Sequence, residues 1–293
     1  MKQKILVILG PTAMGKSDLA VKLAKKFNGE VISADSRQVY TGLNIGTGKI
    51  TKRETRGIPH HLLDVVSPKN KFTVTEWKKQ AEKAIPEIIG RGGLPIIVGG
   101  TGFYIQSIVD DIVLPEVPPN SKLRKKLEKK TTQELFRTLQ KLDPRRAKTI
   151  DSKNPRRLIR AIEITEALGK VPKIKKGKSK YNFIQIGIKP GEKYKEDIHK
   201  RNLKMIKDGM VSEARRLHKN GLSWKRMDEL GLEYRLLAKF LKKEITKEEL
   251  IEKLDNEIWN YAKRQITWFK KDKRIMWFKP KDLKKIEKVT KNS

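Results

Sequence analysis

Cysteine is absent from this chain, which excludes disulfides, Cys-ligated zinc and a thiol nucleophile, and fits a reducing compartment. Long apolar runs are missing too: none approaches the ~20 residues that cross a bilayer. Met1 leads directly into a charged strand with no apolar signal segment. These absences make a soluble cytoplasmic protein with no membrane partner the expectation. Acidic residues are scarce as well, at 34 Asp and Glu against 68 Lys and Arg, which leaves a formal charge of +34 on 293 residues. So basic a surface repels itself unless a polyanion offsets it, and nucleic acid is the first candidate partner. A general bias toward lysine is the alternative source of part of that excess. The chain is long enough for one large domain or two smaller ones. Nothing in it demands a dimer, so a monomer is expected.

What is present begins with Gly10-Pro11-Thr12-Ala13-Met14-Gly15-Lys16-Ser17, directly after the apolar run Ile5-Leu6-Val7-Ile8-Leu9. The octet matches G-x-x-x-x-G-K-[ST], the P-loop. Backbone N–H groups and a helix N-terminus converge there on an anion, so a diphosphate or triphosphate fits. Lys16 is placed to neutralise phosphate oxygens and the Ser17 hydroxyl to ligate Mg²⁺. The alternative is a glycine turn that matches by chance. The strand before it and the amphipathic stretch after it (Leu19, Ala20, Leu23, Ala24, Phe27) argue against that. The loop says phosphate, without saying which phosphate compound.

Residues 1–114 alternate strand and helix patterns, as a parallel α/β sheet does. Glu30 to Asp35 reads as a second short strand, His60 to Val66 as a third apolar segment, and Leu94 to Val98 as a buried strand. Trp77 to Ile89 has helical spacing, with Pro86 expected to end or kink it. Ligands in open α/β sheets bind beyond the carboxyl ends of the strands, and Gly10 to Ser17, Asp35 and Thr101 all fall there. That convergence predicts one site. The strand 94–98 lacks the terminal acid with which nucleotide-hydrolysing P-loop proteins hold Mg²⁺, so Asp35 is the available carboxylate. It could serve as metal ligand, general base or helix cap.

After Leu114 the texture changes. Pro115, Pro118 and Pro119 mark a boundary, a basic helix-forming run spans Lys122 to Lys141, and Lys173 to Lys180 reads as a basic linker. Asn154-Pro155 opens a helix in which Arg156, Arg157 and Arg160 lie within about one and a half turns, so at least two share a face. Phe183 to Ile188 reads as a strand returning to the sheet. The remainder reads as helical (Asp197 to Asn220, Tyr234 to Lys243, Lys247 to about Lys271), with a frayed lysine-rich tail after Pro280. In the last of these helices aromatic residues are threaded among cations (Tyr261 to Phe269), a pattern that suits nucleic acid or core packing equally. The expected fold is therefore α/β: a P-loop NTPase-like parallel sheet core flanked by helices, residues 1–114 and 181–293, carrying a helical insertion at 115–180.

At this point the motifs carry a resemblance. Gly10 to Ser17, Ser33-Ala34-Asp35-Ser36-Arg37-Gln38-Val39-Tyr40, Asn44 to Lys49, Gly99 to Tyr104, Asn154 to Ala161 and Lys263 to Phe269 occur in that order. Together they resemble the bacterial tRNA dimethylallyltransferases (isopentenyl-tRNA transferases), from about residue 4 to 270. The resemblance implies transfer of a dimethylallyl group from dimethylallyl diphosphate to N6 of the adenosine 3′ of the anticodon, with release of diphosphate and a need for Mg²⁺. It also implies Asp35 as the base, Thr101 near the substrate, Thr12 on a diphosphate oxygen and Arg201 on the diphosphate. Ser36, Arg37, Gln38, Arg124, Arg156, Arg157 and Arg160 would touch the anticodon stem-loop of tRNA, which makes the insertion a tRNA-binding element.

Two departures stand out. Asp197 occupies a position where the family often has arginine, and Gly231-Leu232-Glu233-Tyr234-Arg235 replaces a Gly-Tyr-Arg stretch. A small-molecule kinase using ATP shares the P-loop, but has little use for three clustered arginines on an inserted helix. An RNA-binding structural protein with a degenerate site is the third reading, and it leaves Asp35 without a purpose.

Overall fold

The computed structural model describes residues 2–292. The chain divides into two compact units, one running to Asp111 and resuming at Lys178, the other spanning Ile112–Gly177. The changeovers fall at 112 and 178, where the prolines and the basic run suggest 115 and 181. The cause is a short antiparallel ribbon, Ile112–Val113 on Lys175–Lys176, so part of the stretch expected to be a linker is a strand.

In chain order the strands are β1 (Gln3–Leu9), β2 (Gly29–Ser33), β3 (His60–His61), β4 (Leu94–Gly99), β5 (Ile112–Val113), β6 (Lys175–Lys176), β7 (Tyr181–Ile188) and β8 (Met276–Phe278). The helices are α1 (Lys16–Lys26), α2 (Lys52–Thr55), α3 (Val74–Gly90), α4 (Gly102–Val109), α5 (Ser121–Leu127), α6 (Thr132–Leu142), α7 (Pro144–Ala147), α8 (Pro155–Leu168), α9 (Tyr194–Lys207), α10 (Met210–Lys219), α11 (Trp224–Leu230), α12 (Leu232–Leu241), α13 (Lys247–Phe269) and α14 (Leu283–Asn292).

The larger unit is built on a parallel sheet of order β3-β2-β4-β1-β7-β8. Ile5 to Leu9 are all fully buried, as expected of a parallel sheet covered on both faces. On one face the core joins Ile5, Val7 and Ile97 to Trp77, Ile85, Tyr104, Leu237 and Leu254 from α3, α4, α12 and α13. On the other, Leu6, Ile8 and Ile186 meet Leu19 and Leu23 of α1 and Ile286 of α14. In the smaller unit Leu127, Leu135, Leu139, Leu158 and Ile162 form a separate core from α5, α6 and α8.

Several expectations need correction. Pro86 neither ends nor interrupts α3, because it lies on the exposed side, where water can satisfy the carbonyl that loses its N–H partner. The 60–66 segment forms the two-residue β3 and, at Val66, an isolated parallel bridge to Tyr40; Leu62 and Asp64 take positive φ between them and end the strand. Residues 197–220 are two helices separated at Gly209, and the 122–141 run is two helices separated by the capping box of Thr131 and Glu134. The stretch after α13 is not all helical, since β8 adds an edge strand beside β7. The tail beyond Pro280 is helix α14, held because Ile286 is fully buried against the sheet.

Candidate active site

Parallel strands bring their carboxyl ends to one side. The order β2-β4-β1 therefore sets Asp35 (after β2), Thr101 (after β4) and the P-loop (after β1) side by side, with Thr101 between the other two. The P-loop leaves β1 through Gly10 at φ 142°, where a Cβ would lie 2.9 Å from the Ile188 carbonyl oxygen. Only glycine fits that approach. Gly15, in the left-handed region, caps α1, so the first-turn amides and Lys16 face the loop. Ala13 and Met14 rest on an apolar cluster of Tyr194, Ile198, Ile258 and Ala262 from α9 and α13.

Side chains from three helices and a turn close around this loop. Arg201 of α9 donates from Nη1 to Thr12 Oγ1 at 2.9 Å, and the Tyr194 hydroxyl donates to Thr12 O at 2.8 Å. Gln265 of α13 accepts from Thr12 N at 2.9 Å and donates to Gly100 O at 2.9 Å, linking the P-loop to the loop after β4. Lys16 Nζ donates to Pro11 O at 2.7 Å. Burial pushes its ammonium down to about 8; Asp35 opposes that lowering and Arg201 adds to it. The cavity so enclosed is about 210 Å³ and is lined by Thr12 to Asp18, Asp35, Gln38, Thr47, Gly48, Val98 to Gly100, Arg201, Tyr261 and Gln265.

Asp35 divides its carboxylate between two tasks. Oδ1 accepts from the backbone N–H groups of Arg37 (2.8 Å) and Gln38 (3.3 Å), capping the turn that follows β2. Among the described residues nothing donates to Oδ2. The cap and the chemical readings of this residue are thus compatible, one on each oxygen. Thr101 Oγ1 accepts from Ser36 N at 3.0 Å, and burial holds the phenol of Tyr261, which lines the cavity, above its usual range. Glu233 of α12 is 8% exposed, and burial pushes its carboxyl up to about 7; Arg201 and Arg37 oppose the rise and Asp35 adds to it.

The cavity thus unites the P-loop from Thr12 onward with Asp35, Gln38 and Arg201; Ser36, Arg37 and Thr101 do not line it, although Ser36 and Arg37 directly follow Asp35 and Thr101 follows Gly100. Arg124, Arg156, Arg157 and Arg160 belong to the smaller unit. There Glu163, 2% exposed, receives Arg124 through Nε (2.9 Å) and Nη2 (2.7 Å), which pins α5 to α8, and Arg160 through Nη1 (2.5 Å) within α8, while Arg160 Nη2 donates to Val117 O at 2.9 Å. Arg156 and Arg157 are exposed, the latter 3.6 Å from Asp151. Sequence reasoning gave no role to Gln265, Tyr194, Thr47 or Gly48. Thr47 and Gly48 fall in the 44–49 motif and Gln265 in the 263–269 motif, but the partner of Gln265 on the P-loop is 253 residues away.

Mg²⁺ prefers oxygen donors, keeps several waters and takes one or two carboxylates beside substrate phosphates. Ser17 and Asp35 line one cavity, Asp18 borders it with its carboxylate paired to Lys22 (2.6 Å) and Arg56 (3.5 Å), and no cluster of three or more His, Cys, Asp or Glu side chains exists among the described residues. That donor set fits an ion completed by phosphate oxygens and water, not a cage made by protein alone.

A family model described as IPP transferase matches residues 38–272. The chain is 42% identical over 284 residues to the tRNA dimethylallyltransferase of Anoxybacillus flavithermus, covering 95% of this chain and 91% of that one. It is 42% identical over 305 residues to the protein of the same name from Caldanaerobacter subterraneus subsp. tengcongensis, covering 100% and 96%. Among solved structures, the tRNA isopentenylpyrophosphate transferase of Bacillus halodurans superposes with a TM-score of 0.74 at 36% identity, over 98% of this chain and 95% of that one. A eukaryotic dimethylallyltransferase acting on tRNA gives a TM-score of 0.76 at 28% identity, over 96% of this chain and 75% of that one.

Proposed function

The chain belongs to the IPP transferase family, and from that membership and its cavity we propose that it is a tRNA dimethylallyltransferase. Its donor is dimethylallyl diphosphate, its acceptor N6 of the adenosine 3′ of the anticodon, and its second product diphosphate. The observation that carries this reading is the presence of an anion cradle and a half-free carboxylate on the walls of one cavity.

In the proposed reaction the N6 lone pair forms a bond to C1 of the dimethylallyl group. The C1–O bond breaks, and its electron pair leaves with the diphosphate. Charge builds on the leaving group, so preorganised donors that meet it lower the barrier. Lys16, the P-loop amides, Thr12 and Arg201 are those donors. Mg²⁺ held by Ser17 would add electrostatic stabilisation of the same oxygens when bound. The exocyclic amine is a weak nucleophile because its lone pair is delocalised into the ring. Asp35 Oδ2 orients it and takes its proton, while Oδ1 keeps the carboxylate fixed. Thr101, held by the Ser36 N–H, supports the base beside Asp35.

The adenine must leave its stack to enter such a cavity, at a cost of a few kcal/mol. Cations gripping the anticodon stem-loop offset that cost, and the exposed Arg156 and Arg157 suit the task. Ser36, Arg37 and Gln38 are proposed to meet the tRNA at the cavity. Arg124 and Arg160 would contribute by holding the helix that displays Arg156 and Arg157. We take the working unit to be a monomer.

Incubating the protein with unmodified tRNA and dimethylallyl diphosphate, then digesting the tRNA to nucleosides, tests the activity by mass. N6-dimethylallyl adenosine is the expected product; its absence together with turnover of ATP would favour a kinase. Asp35→Ala is expected to lower turnover by roughly 10²- to 10⁴-fold, the usual worth of a general base, with the Kd for tRNA nearly unchanged. Unaltered turnover in that variant would remove Asp35 from the chemistry.

A further inference from the structure

A carboxylate outside the cavity holds part of its rim. Glu213 of α10 is 2% exposed, and both of its oxygens are engaged. Oε2 accepts from the backbone N–H groups of Asn44 (2.9 Å) and Ile45 (2.8 Å). Oε1 accepts from the N–H of Gly46 (3.0 Å) and from the Tyr234 hydroxyl (2.7 Å). Successive amides pointing at one anion form a nest, and here the anion is the protein's own side chain. A buried carboxylate is tolerated only when its lone pairs are bonded this fully.

The anchored residues lead into the cavity. Thr47 and Gly48 follow and line it, in a turn closed by Gly48 N to Ile45 O and Lys49 N to Asn44 O, each 2.9 Å. Gly48 has φ 58°, and a Cβ there would run into Arg201 Nη2. The guanidinium therefore lies directly on the Gly48 backbone while its other nitrogen reaches Thr12. Gly46 shows the same tightness, since a Cβ on it would sit 2.8 Å from the Tyr234 hydroxyl oxygen.

We propose that Glu213 is a positioning residue for the transfer reaction: by anchoring Asn44 to Gly46 it fixes Gly48 as the seat of Arg201, and so sets affinity for the diphosphate end of the donor. This rests on the assignment of Arg201 to that diphosphate. Glutamine at 213 keeps the shape but presents an NH₂ to backbone donors, so the rim loses part of its anchor.

The test compares Glu213→Gln, Arg201→Ala and the double variant, reading KM for dimethylallyl diphosphate, kcat, Kd for tRNA and urea midpoints. Arg201→Ala should raise the donor KM by roughly 10- to 100-fold, the worth of a charge-assisted hydrogen bond. Glu213→Gln should raise it about tenfold with kcat and the Kd for tRNA little changed. It should add little in the Arg201→Ala background, because the two act in series. A folded Glu213→Gln enzyme with unchanged donor KM overturns the proposal, as does an equal rise in both backgrounds. A rise shared equally by donor and tRNA also overturns it, since that marks a general structural role. Should Glu213→Gln fail to fold, Gly48→Ala displaces the guanidinium directly; the same donor-specific rise is expected, and a wild-type KM there overturns the proposal. Arg201→Ala with unchanged KM rejects the diphosphate assignment itself, separately from anything Glu213 does.

Discussion

Two side chains near the cavity carry charge at a cost that pH can reveal. Lys16 is held down to about 8 by burial, so in the free protein it loses its proton as pH rises through that value. A bound diphosphate favours the charged form and draws the proton back. The donor KM is expected to climb above about pH 8, and calorimetry near pH 9 in buffers of different ionisation enthalpy should read uptake of most of one proton. Binding without uptake would take Lys16 off the diphosphate. Glu233 runs the opposite way: its carboxyl is raised from 4.5 to about 7, chiefly by burial. The folded state then holds a proton that the unfolded chain has released, and stability is lost as pH rises from about 4.5 to 7. Glu233→Gln is expected to stabilise the protein at pH 8 by up to roughly 3 kcal/mol and to be near neutral at pH 4.5. Urea melts at the two pH values measure this, and a gain independent of pH would contradict it.

Individual elements owe their form to what they rest on. Helix α14 is rich in lysine, and taken alone it reads as a solvated tail; Ile286, 0% exposed, ties it to the face of the sheet that α1 also covers. Ile286→Ala should cost about 2–4 kcal/mol by urea denaturation, whereas a loose tail would show no change. In the smaller unit the arginines of α5 and α8 divide by partner. Arg124 and Arg160 converge on Glu163, whose carboxyl they and the Asn120 N–H hold below its usual range despite burial. Arg156 and Arg157 stay exposed on the first turn of α8, where Asn154 and Pro155 start the helix. Arg124→Ala is therefore expected to lower stability, because it strips a bidentate partner from a buried carboxylate.

For the whole molecule, the excess of 34 positive charges predicts steep salt dependence of tRNA affinity. Each phosphate neutralised contributes a slope of about −0.7 to −0.9 in log K against log salt. Arg156→Ala with Arg157→Ala should flatten that slope by about 1 per cation removed, measured by filter binding over a salt series; a flat wild-type response would remove the electrostatic reading. Local signals sufficed for the larger outline. The P-loop, the buried strands around it and the carboxylate at the end of β2 were legible because each depends on neighbours a few residues away: a glycine-bounded turn, an apolar run, an acid at a strand end. The pairing of β8 and the docking of α14 were decided by packing between segments distant in the chain, which periodicity does not register, whereas the survival of α3 through Pro86 and the break of 197–220 at Gly209 are local effects, a proline on the exposed side and a glycine at positive φ. The site divides along the same line. The amino-acid sequence by itself determined the glycine-bounded P-loop turn and the acid that follows β2, since local backbone conformation and residue type already dictate both. Only the tertiary structure decided that Gln265 ties the cradle to β4, that Glu163 occupies Arg124 and Arg160, and that Glu213 anchors the rim under Arg201, because each is a hydrogen bond whose donor and acceptor meet only once the chain has folded.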